Sequence, residues 1–411
     1  MATICEFDVQ SDSFQSDPWK LYARVHSEDL VLKDRSTGSF FLGRYAQVHR
    51  VLGSSLYTTA PLAVRAQPVL GARVLAQMEG VEHAVKRRAV LSQLTARRFR
   101  EHHAALLEQL VDQLIQRVCD RGSLDLMRDF GSDYSILATL SVLGLPVDRH
   151  DEVASWQQGV TRFITSLGMT EEERDTAFES SRCLIEYLTP IVAAAAEGFQ
   201  QGMVSQLRSA QVDHGVMSVQ ECVALVMNLL LAASEPADKT LGYLFHHLLS
   251  DPEIFRRVSE ERGLLAAALE ETLRLTPPVH LVPRQLQSED EVDGVRLPAG
   301  SSVFCMIGAA NRDPAVYENP DRFILSRQRA CSAQPGRGRH LAFGAGPHIC
   351  VGAAFSLMQL ELTANALIDR LPGLRLPGTY ELRERGTYTR GPSAVYVEFD
   401  AAHPREAARV S

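Results

Sequence analysis

The chain has 411 residues, of which 45% are hydrophobic, and its formal net charge at pH 7 is -8. This length and apolar content suffice for a large core, whereas the acidic balance disfavours a general nucleic-acid binder, which needs a basic face. Residues 1–17 are polar and acidic, unlike a secretory signal. The longest apolar stretch, 223–233, is too short to span a membrane, which takes roughly 20 residues, and it predicts a buried helix.

The cysteines lie at positions 5, 119, 183, 222, 305, 331 and 350, and no two of them form a C-x-x-C pair. Because they are scattered and odd in number, a disulfide framework is disfavoured and a reducing cytoplasm is expected. The sequence contains no linker, low-complexity run or internal repeat that would divide it. We therefore expect one domain over residues 1–411.

In chain order, most of the sequence has the periodicity of helices, interrupted by Pro and Gly. Residues 31–45 predict a hairpin that turns at 36–39, and residues 82–251 predict almost continuous helix. Within that region, Ser218 and Glu221 form a capping box that opens a strongly apolar helix. The elements predicted further on are a helix over about 263–275, strands within 293–307, a helix over about 352–371 and a strand over 394–399. The predicted fold class is mainly α with small β-sheets.

A glycine-rich segment immediately precedes the predicted helix 352–371 and reads FGAGPHICVG. Its glycines and proline predict a tight, exposed turn that lets a flat ligand approach the backbone. Cys350 lies just before the helix, and a helix N-terminus, with its partial positive charge and free N–H groups, stabilises a thiolate. An inert, buried cysteine is the alternative for such a loop when it is considered alone.

The whole segment is similar to the haem-ligand loop of the cytochrome P450 family, Phe-Gly-x-Gly-x-His-x-Cys-x-Gly. The matching residues are Phe343, Gly344, Gly346, His348, Cys350 and Gly352. The resemblance implies a single cytochrome P450-type domain with haem b between the long apolar helix and the helix after Cys350, whose thiolate is the axial iron ligand. A thiolate ligand favours O–O cleavage at haem iron. The resemblance is to the soluble bacterial type, without a membrane anchor.

Two further groups of residues match the family's order. Glu271 and Arg274 resemble the Glu-x-x-Arg motif, and Arg322 lies in a Pro-x-Arg-Phe-like segment; the resemblance implies a structural Glu–Arg–Arg cluster, although such a helical pair alone is most often solvated. The second group implies partners for the haem propionates, which need cations or hydrogen-bond donors. Its members are His83, Arg87, Arg284 and His348. The segments 17–22 and 388–392 also resemble family landmarks, so the resemblance extends over nearly the whole chain.

The sequence departs from the family in the long apolar helix. Where the family has Ala-Gly-x-Glu/Asp-Thr, whose acid and alcohol organise the water that delivers protons to dioxygen, this chain reads Ala232-Ala233-Ser234-Glu235-Pro236. Glu235 supplies the acid, but Pro236 replaces the threonine, and Ser234 and Thr240 are candidate substitutes for its hydroxyl. Proline lacks the N–H and clashes with the preceding turn, so we expect a kink or opening there.

The resemblance implies a haem-thiolate monooxygenase that oxidises a largely apolar small molecule with O2, in secondary or specialised metabolism. Pro236 leaves three variants: hydroxylation assisted by a polar group of the substrate, an unusual outcome such as coupling, dealkylation or desaturation, and peroxide use. Fatty-acid peroxygenases of the superfamily place a proline here after an arginine, whereas Glu235 would repel a carboxylate, so peroxide use ranks last. Two other classes are a non-catalytic haem protein, which Glu235 disfavours, and a haem-free thiol enzyme with Cys350 as nucleophile and His348 as base.

The partners implied by the resemblance are a small-molecule substrate, O2 and an external ferredoxin or flavodoxin with its reductase, with no nucleic acid or membrane. Acidic redox partners dock on basic faces. The expected basic face comprises Lys86, Arg87, Arg88, Arg97, Arg98, Arg100, Arg337 and Arg339. The segments expected to contact the substrate are 56–78, 153–206, 230–234, 279–282 and 387–389.

Overall fold

The computed structural model describes residues 2–166, 168–195, 202–214, 217–327 and 339–401. Most of these residues are helical and the rest include several small sheets, which confirms the predicted fold class. The α-helices are α1 Asp12–Ser16, α2 Trp19–Ser27, α3 Tyr45–Gly53, α4 Ala60–Leu70, α5 Gly80–Leu91, α6 Ala96–Arg98, α7 Ala104–Gln116, α8 Ser132–Leu143, α9 His150–Thr165, α10 Glu171–Ala194, α11 Met203–His214, α12 Val219–Ser250, α13 Pro252–Glu260, α14 Leu265–Leu275, α15 Ile307–Ala310 and α16 Ala353–Arg370.

Short 3-10 turns cover Leu75–Gln77, Arg262–Leu264 and Gly346–His348, and π-helical turns cover Phe99–His103 and Met127–Gly131. The strands are β1 Thr3–Phe7, β2 Leu30–Asp34, β3 Phe40–Leu42, β4 Tyr57–Thr58, β5 Ser123–Asp125, β6 Leu281–Leu286, β7 Asp290–Val292, β8 Val295–Leu297, β9 Ser302–Met306, β10 Glu384–Arg385, β11 Gly391–Pro392 and β12 Tyr396–Glu398. Strand β5 interrupts the region predicted to be almost continuous helix.

The largest sheet has the strand order β1-β2-β3-β9-β6-β4. The predicted hairpin over 31–45 is confirmed, because β2 and β3 pair antiparallel around a turn in which Gly38 has a φ of 68°. A second hairpin joins β7 to β8 through Asp293 and Gly294, both with positive φ, as the tight two-residue turn requires. At the centre, β6 and β9 pair antiparallel and bring Arg284 opposite Val303.

Helix α12 crosses the middle of the molecule, and the predicted capping box begins it. The backbone N–H of Glu221 donates to Ser218 Oγ at 3.1 Å, and the N–H of Ser218 donates to Glu221 Oε2 at 2.8 Å. Lys86 Nζ of α5 donates to Oε1 of the same Glu221 carboxylate at 2.7 Å. The helix continues through Pro236 without interruption. The expectation of an opening is therefore wrong, because the helix is not broken there, whereas the expected kink stays a prediction.

Glu384 joins the N-terminal and C-terminal parts of the chain. It accepts hydrogen bonds from Trp19 Nε1 at 2.7 Å and from Tyr243 Oη at 2.5 Å, and it pairs with Arg390 at 3.3 Å. Arg390 is almost fully buried and also donates to the carbonyls of Gln15, Ser16 and Gly386. These contacts hold the C-terminal loop, including Thr389, against α12.

The buried Glu–Arg–Arg cluster exists, but its second arginine is Arg327 rather than Arg322. Glu271 accepts from Arg274 Nε at 2.8 Å and Nη2 at 2.9 Å, and its Oε1 accepts from Arg327 Nε at 2.9 Å. The side chain of Arg322 is exposed, and only its carbonyl takes part, as an acceptor for Arg274 and Arg327. The expectation for Arg322 was therefore wrong, whereas the buried pair of Glu271 and Arg274 is present.

No helix among the described residues combines the length and apolar character needed to cross a bilayer.

Candidate functional site

A cavity of about 420 Å³ separates the middle of α12 from the loop that ends at Cys350. One wall is α12, where Ala232 and Ala233 are exposed to the cavity between Leu231 and Glu235. The opposite wall includes Phe343, Gly344 and Cys350 from the loop and Ser356 and Leu360 from α16. The small alanines and the loop glycine leave space between these two walls, as a flat ligand requires.

The cysteine loop is folded by its own backbone. The N–H of Cys350 donates to the carbonyl of Phe343 at 2.7 Å, and the N–H of Gly344 donates to Leu341 at 2.8 Å. Gly344 and Gly346 have φ values of 73° and 69°, which favour glycine. At Gly346 a Cβ would lie 2.6 Å from the carbonyl oxygen of Leu52, so the turn packs backbone to backbone against the end of α3.

Cys350 lines the cavity, and the residue is exposed there because no other part of the described chain covers it. Burial raises the pKa of the Cys350 thiol, although a hydrogen bond from the Gly352 backbone N–H and the charge of Arg87 oppose the rise. A metal ion deprotonates a coordinating thiol outright, so the thiolate would form together with an iron–sulfur bond.

Arg284 is a buried cation at the cavity wall, with 3% of its surface exposed. Its one hydrogen bond within the described part of the chain joins Nη1 to the carbonyl of Pro283 at 2.9 Å. Burial lowers the pKa of the Arg284 guanidinium. A buried guanidinium without a carboxylate partner calls for an anionic ligand from the cavity.

The imidazole rings of His348 and His83 lie next to each other, with centroids 4.3 Å apart. The charge of Arg284 acts on His348. His348 lines the cavity, whereas His83 and Arg87 lie outside its lining. Burial lowers the pKa of both histidines, and the charge of Arg87 contributes to lowering each of them. The structure therefore brings the four predicted propionate partners to one side of the cavity, with Arg284 and His348 facing it directly.

Glu79 is a member of this group that the sequence analysis missed. It accepts a hydrogen bond from His348 Nε2 at 3.1 Å, and its Oε1 accepts from the backbone N–H and the hydroxyl of Thr59, each at 3.0 Å. Glu79 lies four residues before His83, about one helical turn away, and this spacing could have predicted that it belongs to the group.

Glu235 lines the cavity above the cysteine loop and has two partners that the sequence analysis did not assign to it. Its Oε1 accepts from Lys239 Nζ at 2.5 Å and from Thr389 Oγ1 at 2.8 Å. Lys239 is one turn further along α12, so the spacing could have revealed it. Thr389 is 154 residues away in sequence, and only its place in a predicted substrate-contact segment pointed to this region.

Ser234 is turned away from the cavity, so its expected role as the substitute hydroxyl is wrong for this structure. Its Oγ donates to the carbonyl of Leu230 at 2.6 Å, and the side chain is buried. Thr240 does line the cavity, but its hydroxyl donates to the carbonyl of Pro236 at 2.7 Å. Pro236 itself lines the cavity. The hydroxyl bound to the acid is that of Thr389.

The residues present fit haem b. A sulfur donor lies on one wall, and the buried guanidinium of Arg284, which has no ion-pair partner among the described residues, lies at one side. The rest of the lining is mostly apolar. Each of the five segments expected to contact substrate contributes to the lining, which includes Leu62, Ala66, Val74, Ile164, Leu231, Val279, Val282 and Tyr388. Further apolar lining comes from outside these segments, at Leu52, Leu273 and Leu360. Gln77, Asn228, Thr161 and Thr165 add amide and hydroxyl groups.

Comparison with known proteins agrees with this arrangement. The family model for cytochrome P450 matches residues 154–372. A curated relative, the pulcherriminic acid synthase of Bacillus subtilis (strain 168), is 39% identical over 96% of this chain and 98% of the relative. The biflaviolin synthase CYP158A1 of Streptomyces coelicolor (strain ATCC BAA-471 / A3(2) / M145) is 33% identical over 77% of this chain and 75% of that protein.

Among solved structures, CalO2 superposes with a TM-score of 0.86 at 26% identity, covering 97% of this chain and all of that one. A self-sufficient cytochrome P450 monooxygenase matches with a TM-score of 0.87 at 23% identity, covering 98% of this chain but 54% of that protein. This second likeness concerns the fold alone.

Proposed function

Because the chain belongs to the cytochrome P450 family, whose members are haem b monooxygenases, we propose that it oxidises a largely apolar small molecule of specialised metabolism with Cys350 as the axial iron ligand. The observation that carries the proposal is the sulfur of Cys350 at the wall of a cavity that Glu235 lines on the opposite side. The proposal treats residues 1–411 as one cytochrome P450-type domain. Haem b held by a thiolate supplies dioxygen activation and insertion of an oxygen atom into the substrate.

In this proposal Arg284 and His348 bind the propionates, with His83 and Arg87 behind them. Arg284 supports this role because it is buried, cationic and open to the cavity. The Gly352 N–H donates a hydrogen bond to the sulfur of Cys350 and so helps to hold its negative charge. Phe343, Gly344 and Gly346 shape the turn that presents the sulfur, and Glu271 with Arg274 anchors the neighbouring layer.

Glu235 is the proposed proton-delivering acid. The Thr389 hydroxyl, bound to Glu235 at 2.8 Å and exposed to the same cavity, takes the place of the family's missing threonine. A hydroxyl can accept a proton from one side and donate one on the other, so it can pass protons between a carboxyl group and the reacting centre. Pro236 then costs the helix a hydrogen bond without removing the acid–alcohol pair.

The cavity favours a neutral or weakly polar substrate. Its lining is mostly apolar, and Glu235 would repel a carboxylate. The amide groups of Gln77 and Asn228 can recognise polar groups such as amides on an otherwise apolar molecule. Since the relative of 39% identity is a pulcherriminic acid synthase, we propose that the reaction is of the same class as the one that forms pulcherriminic acid.

The proposed electron donor is a ferredoxin or flavodoxin with its reductase, in the cytoplasm. Exposed cations that support a docking face are Arg88, Arg97, Arg100 and Arg339. Lys86 does not belong to this face, because it is buried and bound to Glu82 and Glu221. Arg337 lies outside the described residues. Rates that fall steeply as salt rises would support docking through these arginines.

The decisive experiment is the carbon-monoxide difference spectrum of the reduced holoprotein. The parent is expected to show the long-wavelength Soret band of thiolate-ligated haem, and Cys350→Ser is expected to lose it together with turnover. An unaltered spectrum in Cys350→Ser would contradict the proposal. Turnover of the immediate precursor of pulcherriminic acid with a ferredoxin system, compared with hydrogen peroxide, tests the substrate class and the oxidant.

A further inference from the structure

A second cavity, of about 530 Å³, lies between α8, α9 and α12. Its lining is rich in polar side chains, including Ser132, Ser155, Gln157 and Gln158. We call it the polar chamber. It shares Glu235, Thr161 and Thr165 with the cavity that Cys350 lines. Glu235 therefore stands at the boundary between an apolar cavity and a polar one.

Asp238 is a partly buried acid that lines the polar chamber. It lies three positions after Glu235 on α12, and it lines the polar chamber but not the apolar cavity. Its Oδ1 is buried and has no hydrogen-bond partner among the described residues. A Cβ at Gly131 would lie 2.3 Å from this oxygen, so the glycine makes the space that the carboxyl group occupies.

We propose that Asp238 and the polar chamber form the route by which protons reach Glu235 and, through the Thr389 hydroxyl, the apolar cavity. This inference rests on the proposed function, because it deepens the role given to Glu235. Asp238 acts through Glu235 and does not touch the substrate cavity. Glu235 lies at the boundary, and Asp238 lies one turn away on the polar side. This arrangement of two carboxyl groups fits a proton relay better than a structural pair.

The charge state of Asp238 suits a relay. Burial raises the pKa of Asp238 to about 7, helped by the nearby carboxylates of Glu235 and Asp125 and opposed by Lys239. A carboxyl group near half-protonation at neutral pH can both give and take a proton. Each transfer balances, because Asp238 gives one proton to the Glu235 carboxylate and regains one from solvent in the polar chamber.

Other charged groups also face this region and would affect its pH dependence. Besides Glu235 and Lys239 on α12 and Asp125 on β5, they are Asp133 of α8 and His150, Asp151 and Arg162 of α9. Because Asp238 loses its proton as pH rises through about 7, the turnover of the parent enzyme is expected to fall over the same range. A variant without this carboxyl group should lack that part of the pH profile.

The test uses the holoenzyme with a ferredoxin system and two probes, 7-ethoxycoumarin and the immediate precursor of pulcherriminic acid. Asp238→Asn is expected to lower kcat about tenfold at pH 7 with KM unchanged, and to raise the share of electrons released as hydrogen peroxide. The loss is smaller than for a positioned acid because solvent in the polar chamber still reaches Glu235. Asp148→Asn, a change of the same charge at an exposed loop position, should leave all of these values unchanged.

Infrared titration of the parent protein gives a readout that needs neither turnover nor a variant. With carbon-13 in the aspartate carboxyl groups, a protonated aspartic acid signal is expected at pH 6 and should disappear above pH 8. Asp238→Asn should remove that signal. Absence of the signal in the parent, or unchanged kcat and peroxide release in a haem-loaded Asp238→Asn, would overturn the relay. Absence of any turnover by the parent would instead contradict the proposed function.

Discussion

Thr389 Oγ1 donates a hydrogen bond of 2.8 Å to Glu235 Oε1, joining the C-terminal loop to the middle of the long helix α12. The helix carries Pro236 where the family has threonine, and the hydroxyl bound to Glu235 comes from a different part of the chain. The loop is held in place by the buried Arg390 and its partner Glu384. The acid–alcohol pair is thus an arrangement of tertiary structure rather than of neighbouring residues.

Thr389→Val should therefore lower the turnover number about tenfold or more and raise hydrogen peroxide release, because the acid loses its hydroxyl partner. The valine keeps the shape of the side chain, so substrate affinity should change little. Coupled product formation per electron pair is the measurement. Thr189→Val, at an exposed helical threonine whose hydroxyl bonds only to the carbonyl of Ile185 in the described structure, serves as control. Equal coupling in the two variants would refute the role of Thr389.

Replacing Arg327 should destabilise the fold, because it would leave the Glu271 carboxylate with one of its two arginine partners missing. Breaking a buried ion pair from one side costs about 3 kcal/mol. Arg327→Ala should lower the free energy of unfolding by about that amount in urea titrations. Arg322→Ala should change it by less than about 0.5 kcal/mol, since that side chain is exposed. A larger loss of unfolding free energy in Arg322→Ala than in Arg327→Ala would show that Arg322 belongs to the cluster instead.

Arg284→Leu should weaken retention of haem b, because a buried cation facing the cavity would be lost. We expect dissociation to become about tenfold faster, which corresponds to ~1.4 kcal/mol. Transfer of haem to apomyoglobin measures this rate. Arg117→Leu, a change at an exposed arginine of the α7 C-terminus, should leave the rate unchanged. Identical haem loss in the two variants would argue against propionate binding by Arg284.

Asp238 should also affect the pH dependence of stability. Burial raises the pKa of its carboxyl group in the folded protein to about 7 from its ordinary value of 3.8. The folded state thus binds the proton more tightly than the unfolded state, so the contribution of Asp238 to stability falls as pH rises from about 4 to about 7. Relative to the parent, Asp238→Asn should gain on the order of 4 kcal/mol between pH 4 and pH 8.

Urea unfolding across that pH range provides the measurement, with Asp148→Asn as the matched control. The difference between the control and the parent should not vary with pH, because Asp148 is exposed. A constant difference between Asp238→Asn and the parent would mean that the folded protein holds Asp238 ionised throughout.

The local patterns predicted well what local interactions decide. The capping box at Ser218 and Glu221, the hairpin around Gly38 and the turn before Cys350 all depend on residues close in sequence. The family resemblance added the buried pair of Glu271 and Arg274, and propionate binding by His83, Arg87, Arg284 and His348 stays a prediction.

The sequence could not identify contacts that depend on tertiary packing. Arg327 and Arg322 both follow Glu271 by about fifty positions, and nothing local shows which side chain turns inward. Ser234 adjoins Glu235, but one step along a helix rotates the side chain by about 100 degrees, which was enough to place its hydroxyl outside the cavity. Thr389 reaches Glu235 only because Glu384 and Arg390 fix the C-terminal loop.

Glu235 lies at the border of two cavities, so one side of it faces mostly apolar residues and the other side faces polar residues. Substitutions among the apolar residues on one side can reshape the space for a new substrate while the water-accessible side stays as it is. A bulky substrate can exclude water from the apolar cavity, while Glu235 stays accessible to solvent from the polar chamber. Variants with a changed substrate range should accordingly be easy to obtain without a matching loss of coupling.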